Sequence, residues 1–219
     1  MARRLTPPRH LVIAVSWLDR AETRRAASPP EGWRLRRAAG RALLTETLAD
    51  FGVHDARVTR RPPEKPRLET SGLHFSTSHS GELSVCAVAR EPIGIDLEVL
   101  GSPRAHRLTH ELPSLPSGFF TPAERRELAT SPARLLEIFV LKESWGKRAG
   151  LGLGIGFGAF DEAALRASHP DIEFTRLTIP GAVCILARPV GSEITVLRRT
   201  PTAVQLAAAA AIDQKERAA

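Results

Sequence analysis

The pentapeptide Gly94-Ile95-Asp96-Leu97-Glu98 carries two carboxylates one residue apart. In an extended chain side chains alternate between faces, so Asp96 and Glu98 point the same way with Cα atoms about 7 Å apart. Ile93, Ile95 and Leu97 then point the other way, into a core. Paired carboxylates repel unless a cation stands between them, and such oxygen ligands suit a hard ion like Mg²⁺. A solvated acidic strand face would show the same two residues, and on these alone it is the commoner arrangement.

A second group lies in Lys142-Glu143-Ser144-Trp145-Gly146-Lys147. On a helix Glu143 and Lys147, four apart, share a face. They could be a routine ion pair worth about 0.3–0.5 kcal/mol. Alternatively, Glu143 is a third oxygen ligand or a base, with Lys142 and Lys147 as flanking phosphate-binding charges. A third group is Phe75-Ser76-Thr77-Ser78-His79-Ser80-Gly81. Small hydroxyl residues and a histidine before a turn hold a phosphate through hydroxyls, backbone N–H groups and imidazole. A lone histidine is more often structural, and Ser-His adjacency is not a nucleophile–base pair because neighbouring side chains diverge.

These groups must be positioned by elements legible in the pattern. Residues 1–9 read as a basic, Pro-rich lead-in and 10–18 as a strand; 19–32 read as a short helix and turn. Helical spacing of Leu35, Ala39, Ala42, Leu43 and Leu48 predicts a helix over 34–50, ending near Phe51-Gly52. A strand at 56–60 precedes the breaker-rich stretch 61–66. Residues 83–89 and 93–98 read as strands joined in a hairpin at 90–92, and 101–118 as a loop. Thr121-Pro122-Ala123-Glu124 combines a capping box with proline in the first turn. A helix over 133–149 stops at Gly150, and 150–158 is a turn. Strands at 172–178, 182–187 and 193–198 and an Ala-rich helix at 203–217 complete an α+β pattern.

The chain has 219 residues, 42% hydrophobic and 25% charged, which excludes disordered and collagen-like classes. No apolar run is long enough to span a membrane. Residues 11–18 follow a basic start but lack a cleavage pattern, so a strand is expected rather than a secretion signal. Cys86 and Cys184 cannot make a zinc site by themselves and read as reduced core thiols of a cytosolic protein. A net charge of +7 suits a polyanionic partner: nucleic acid, a phosphate-rich cofactor or an acidic protein. Few aromatics and no tyrosine weaken single-strand binding, which wants stacking platforms. Only four lysines occur, against many arginines, and Lys65, Lys142 and Lys147 fall in or beside these motifs.

The order matters: FSTSHSG, twelve residues, GIDLE, a T-x-x-E helix start, then KESWGK. In that order the chain resembles the 4′-phosphopantetheinyl transferases, of the larger monomeric type that activates peptide and polyketide synthases. The recognisable motifs run from about residue 60 to 155, including Phe119-Phe120 ahead of Glu124. The family commonly has Asn where Ser76 stands, a large aromatic such as Trp at Phe139, and Gly at Glu64.

The resemblance implies two similar α+β halves, 1–91 and 92–219, each a small mostly antiparallel sheet packed on helix, with coenzyme A in the cleft between them. It implies Mg²⁺-dependent transfer of the 4′-phosphopantetheine arm to a serine of an apo carrier protein, releasing adenosine 3′,5′-bisphosphate. By position Asp96, Glu98 and Glu143 would hold Mg²⁺, and Glu143 and Lys147 would act in catalysis. Ser78, His79, Lys65, Lys142 and Lys147 would contact coenzyme A phosphates, with Arg24 and Arg36 where the family places further basic residues. A cytoplasmic monomer with neither membrane nor nucleic-acid partners is expected. The alternatives are a basic nucleic-acid-binding module, a Mg²⁺-dependent phosphohydrolase and a catalytically inactive homologue.

Overall fold

The computed structural model describes residues 10–18, 29–59, 65–69, 72–111, 118–131, 134–151, 156–202, 205–207 and 209–211. The lead-in 1–9, the segment 19–28 with Arg24, most of the stretch 61–66 and the end of the Ala-rich helix lie outside these. Among the described residues, strands β1 (His10–Trp17), β4 (His74–Ser80), β5 (Leu83–Ala89) and β9 (Glu193–Arg198) form one sheet in the order β4-β5-β1-β9. Strands β6 (Gly94–Val99), β7 (Ile172–Arg176) and β8 (Ala182–Pro189) form a second, in the order β6-β8-β7. Strands β2 (Val58–Thr59) and β3 (Arg67–Leu68) make a small pair. All pairings are antiparallel except β1 with β9. The expected α+β class is what the chain adopts.

Both sheets have helices on their outer faces. Helix α1 (Pro29–Asp50) covers the first through Leu43, Leu44 and Leu48, packed on Ala14, Cys86 and Val88. Helices α2 (Pro103–Glu111), α3 (Pro122–Thr130), α4 (Arg134–Ala149) and α5 (Glu162–Ser168) belong to the second part. Helix α4 packs Leu136, Phe139 and Val140 in one cluster with Ile185 and Ala187 of β8. Between the sheets lies a shared core of Leu11, Ile13, Val85, Ala87, Ile95, Leu97 and Leu186. Strand β5 is therefore buried on both faces, which is why it reads as a continuous apolar run. Both thiols are free and buried, and burial pushes the Cys86 thiol up to about 12.

Several expectations change. Residues 83–89 and 94–99 are adjacent strands but not a hairpin: β5 pairs with β4 across Gly81, and β6 crosses to pair with β8. Gly81 takes φ +56°, a left-handed conformation that glycine adopts without strain. FSTSHSG, given no element by the sequence pattern, is mostly strand, its serines having found partners on β6. The expected loop 101–118 contains α2, because Pro103 and Ser102 act as a helix start: Ala105 N–H donates to Ser102 Oγ at 3.0 Å. Helix α5, absent from the sequence pattern, is short and capped by Asp161. Strand β9 returns to pair with β1, so a division after residue 91 leaves one strand of the second part in the first part's sheet. No helix among the described residues is long and apolar enough to cross a membrane.

Candidate active site

Strand β6 delivers the carboxylates, and its sequence explains how. The Ile95 and Leu97 side chains are fully buried in the inter-sheet core, which turns Asp96 and Glu98 to the opposite face. Gly94 lets α4 come close. A Cβ there would stand 2.0 Å from Ser144 O and 2.4 Å from Arg148 N, a distance no side chain tolerates. Helix α4 can thus present Glu143 and Lys147 directly over Asp96.

The exposed edge of β6 is closed by serine hydroxyls rather than by a backbone ladder. Ile95 N–H donates to Ser76 Oγ at 3.0 Å and Val99 N–H to Ser80 Oγ at 3.1 Å. Ser78 Oγ donates to Asp96 Oδ1 at 2.6 Å, and Ser80 Oγ to Glu98 Oε2 at 2.7 Å. Every second residue of β4 thus serves β6, satisfying edge N–H groups that would otherwise stay unpaired. Ser78, expected at a phosphate, lines the adjoining cavity while its hydroxyl donates to Asp96.

Three carboxylate oxygens in this neighbourhood are buried and accept no hydrogen bond: Asp96 Oδ2, Glu98 Oε1 and Glu143 Oε1. Lys147 Nζ meets Asp96 Oδ1 at 2.6 Å and also donates to Thr77 O at 3.1 Å. The Arg104 guanidinium, from the first turn of α2, stands 3.0 Å from Glu98 Oε1 without a directed hydrogen bond. Burial pushes Glu143 up to about 7, with Asp96 adding repulsion while Lys147 and Arg104 pull the other way. Glu98 is also raised, mainly by burial, against the Ser80 hydrogen bond and Arg104. Unpaired buried acceptors are costly and uncommon in structures. Carboxylate oxygens are also the donor type that a hard divalent cation takes. Among the described residues no three His, Cys, Asp or Glu side chains already stand as a metal-holding cluster. Lys147 supplies the positive charge that Asp96 meets here.

A cavity of about 390 Å³ opens beside these carboxylates. Asp96, Glu143, Lys147 and Arg104 line one side, with Thr77, Ser78 and His79 of β4. Arg36, Arg37 and Arg41 of α1 line the other. Burial, then the nearby Arg36, Lys147 and Arg104 charges, push His79 down to about 4, so its imidazole is neutral across the physiological range.

Of the expected site residues, Asp96, Glu143, Lys147, Ser78, His79 and Arg36 meet at this cavity, with Glu98 behind Arg104. Two depart. Lys142 does not border it. Its side chain is fully buried, and Nζ donates to Phe119 O at 3.0 Å, Glu124 Oε2 at 2.5 Å and Phe157 O at 2.7 Å. An ammonium with three donors and three acceptors has none left for a phosphate. Lys65 donates to Ile93 O at 2.7 Å and lies near Lys147 and Arg148, and burial with those charges lowers it to about 8. Arg24 falls outside the described residues. Sequence reasoning missed Arg37, Arg41, Thr77 and Arg104. The i, i+4 spacing of Arg37 and Arg41 on one helix face was the available signal for that pair. Arg104 was hidden by the reading of α2 as loop.

Residues 92–200 match the family model of the 4′-phosphopantetheinyl transferase superfamily. A 4′-phosphopantetheinyl transferase of Bacillus subtilis is 34% identical over 145 residues, covering 64% of this chain and 58% of the relative. The 4′-phosphopantetheinyl transferase HetI of a Nostoc species is 35% identical over 133 residues, covering 55% of this chain and 54% of the relative. A third, from Bacillus pumilus, is 26% identical over 183 residues, covering 76% of this chain and 74% of the relative. The alignments to the first two thus span little more than half of each relative's length.

Proposed function

Since the chain belongs to the 4′-phosphopantetheinyl transferase superfamily, we propose that it moves the 4′-phosphopantetheine arm of coenzyme A onto a serine of an apo acyl or peptidyl carrier protein. One observation carries this: three buried carboxylate oxygens accept no hydrogen bond, those of Asp96 and Glu143 at a cavity also lined by arginines and that of Glu98 beside Arg104. The parallel wiring of the sheets adds to it. With the β2–β3 pair, strand β9 and the helices α2, α3 and α5 set aside, each keeps a strand, a helix and two further strands of which the last lies beside the first: β1-α1-β4-β5 and β6-α4-β7-β8. We read these as two related halves with coenzyme A held in the cleft between them.

In this mechanism the carrier serine oxygen attacks the phosphorus that bears the pantetheine arm. The bond from that phosphorus to the bridging pyrophosphate oxygen breaks, and adenosine 3′,5′-bisphosphate leaves. Glu143, raised to about 7, is poised to take the serine proton, directly or through a water. Arg36, Arg37 and Arg41 hold the phosphates and orient the phosphorus toward the carboxylate wall. Lys147 and Arg104 offset the charge that grows on the leaving phosphate. Neutral His79 contributes a hydrogen bond rather than a charge. Asp96, Glu98 and Glu143 would hold a Mg²⁺ ion, their oxygens being the donor type it takes, and the bound ion would supply Lewis-acid charge to the pyrophosphate. We place the protein in the cytoplasm as a monomer and assign it neither membrane nor nucleic acid.

Incubation with coenzyme A, Mg²⁺ and a panel of apo carrier proteins, read by intact mass, tests this. The expected result is a phosphopantetheine mass gain on the carrier serine. A panel without gain, in the presence of confirmed coenzyme A binding, overturns the reaction assigned. Absence of coenzyme A binding overturns the site.

A further inference from the structure

His106 and His110 stand one turn apart on α2, both exposed and outside the cavity. Their Nε2 atoms are 3.1 Å apart and their ring centroids 4.2 Å. We propose that they form a surface site for a transition-metal dication of the Zn²⁺ class.

The geometry is already close to that of two ligands on one ion. At a Zn–N distance of roughly 2.0–2.1 Å, two ligand nitrogens lie roughly 2.9 Å apart at a right angle and roughly 3.4 Å at the tetrahedral angle. The observed 3.1 Å falls between, so the spacing suits two ligands of one ion once the rings turn their lone pairs toward it. Without it, the rings share one N–H between two nitrogens. To bind, the donating ring moves its proton from Nε2 to Nδ1, which leaves both Nε2 lone pairs free and loses no net proton.

The helix beneath is anchored at its start. Ser102 Oγ caps Ala105 N–H, and the Ala105 side chain is buried in the core. Thr109 Oγ1 donates to His106 O at 2.8 Å within the last turns. Among the described residues no third His, Cys, Asp or Glu joins the pair, so water fills the remaining positions. Ligand type separates this pair from the carboxylate site. Imidazole nitrogen selects zinc, copper or nickel, whereas Mg²⁺ prefers oxygen. Occupancy would clamp the helix whose first turn brings Arg104 to Glu98.

The test uses the full chain in excess Mg²⁺, which competes with Zn²⁺ for the carboxylates. Zn²⁺ is titrated against a chromophoric chelator, on wild type, His106→Gln and His110→Gln. Both residues are exposed, so the variants keep the fold, which circular dichroism verifies. Wild type is expected to take up one equivalent of Zn²⁺ that each variant loses. Electron paramagnetic resonance with one equivalent of Cu²⁺ should show two coordinated nitrogens in wild type and fewer in each variant. Equal Zn²⁺ uptake by all three proteins, or an unchanged Cu²⁺ nitrogen pattern in the variants, overturns the proposal.

Discussion

Helix α4 carries two neighbouring residues, Lys142 and Glu143, each buried in a charged environment on a different side of the helix. Around Lys142 every polar atom is matched: two carbonyls and the Glu124 carboxylate surround its ammonium. Glu124 is itself used twice more, its Oε2 accepting from Thr121 N–H while its own N–H donates to Thr121 Oγ1. Around Glu143, Asp96 and Glu98 the matching is incomplete, and one oxygen of each accepts no hydrogen bond, that of Glu98 facing only the Arg104 charge. The difference separates structure from chemistry. A satisfied buried pair fixes where chain segments sit, here the Phe119 and Phe157 segments against α4. An unsatisfied one holds free acceptors in place for something that arrives later.

The sharpest way to break this contrast is to remove Lys142. Lys142→Met leaves Glu124 buried without its cation, and losing one partner of a buried pair costs about 3–5 kcal/mol. Denaturant unfolding should show that loss. The double change Lys142→Met with Glu124→Gln should recover part of it, because the stranded charge is gone. A Lys142→Met protein of native stability but defective coenzyme A binding would instead return Lys142 to the phosphates.

On the other side of the helix the expected pattern reverses. Asp96→Asn and Glu143→Gln should lower arm transfer by about 10²-fold or more, the scale of losing one preorganised electrostatic contact. Stability should hold or rise in Glu143→Gln, because a repelling carboxylate has been neutralised, whereas Asp96→Asn also gives up the ion pair with Lys147 and should lose some stability. Intact-mass kinetics and thermal unfolding on the same samples read both quantities. Near-normal transfer in both variants would remove the carboxylates from the mechanism.

The pH dependence sharpens the same point. Glu143 is raised from 4.5 to about 7, so the folded state holds its proton over a window where the unfolded chain has lost it. Native stability of the metal-free protein therefore falls as pH rises from about 4.5 to about 7, and stays lower above, by about 3 kcal/mol. Glu143→Gln should flatten that fall. His79 runs the other way: lowered to about 4, it weakens the fold as pH drops from about 6.5 toward 4. Denaturation curves from pH 4 to 8 for wild type and Glu143→Gln separate the two. An unchanged slope in Glu143→Gln would show that another group carries the dependence.

What the sequence could reveal follows the range of the interactions. The facing of Asp96 and Glu98 needs only strand alternation, and the Thr121–Glu124 box needs only four consecutive residues, so both were legible. The α+β pattern and the helix carrying Glu143 followed from periodicity in the same way. The serine ladder was not legible, because it joins β4 to β6 across two sheets that share no backbone pairing there. Proline, serine and histidine were read as loop at 101–118, whereas a helix start uses those same residues, and the hydroxyls of 75–81 were read for phosphate rather than for an edge strand. The partners of Lys142 lie 15 to 23 residues away, in segments whose approach no local pattern encodes. Type and spacing alone put Lys142 and Lys147 in one class, although only Lys147 lines the cavity.

The smallest effect belongs to the arginine wall. Arg36 lines the cavity, and its charge is felt at half-buried His79. It shares the wall with Arg37 and Arg41, so no single guanidinium carries the whole phosphate charge. Arg36→Ala should weaken coenzyme A binding by about 1 kcal/mol, roughly fivefold, with most of the effect in KM and little in kcat. Added salt should narrow the gap between variant and wild type, because a partly solvated charge is screened over about 8–10 Å at physiological ionic strength. The His79 imidazole should titrate higher in Arg36→Ala, since a cation that opposed its protonation is gone. Proton chemical shifts of His79 across pH report that rise independently of turnover. If coenzyme A affinity falls while His79 does not move, Arg36 meets the ligand without facing the β4 wall. If neither changes, α1 is not part of the site, and the carboxylate side must hold the diphosphate with Lys147 and Arg104 alone.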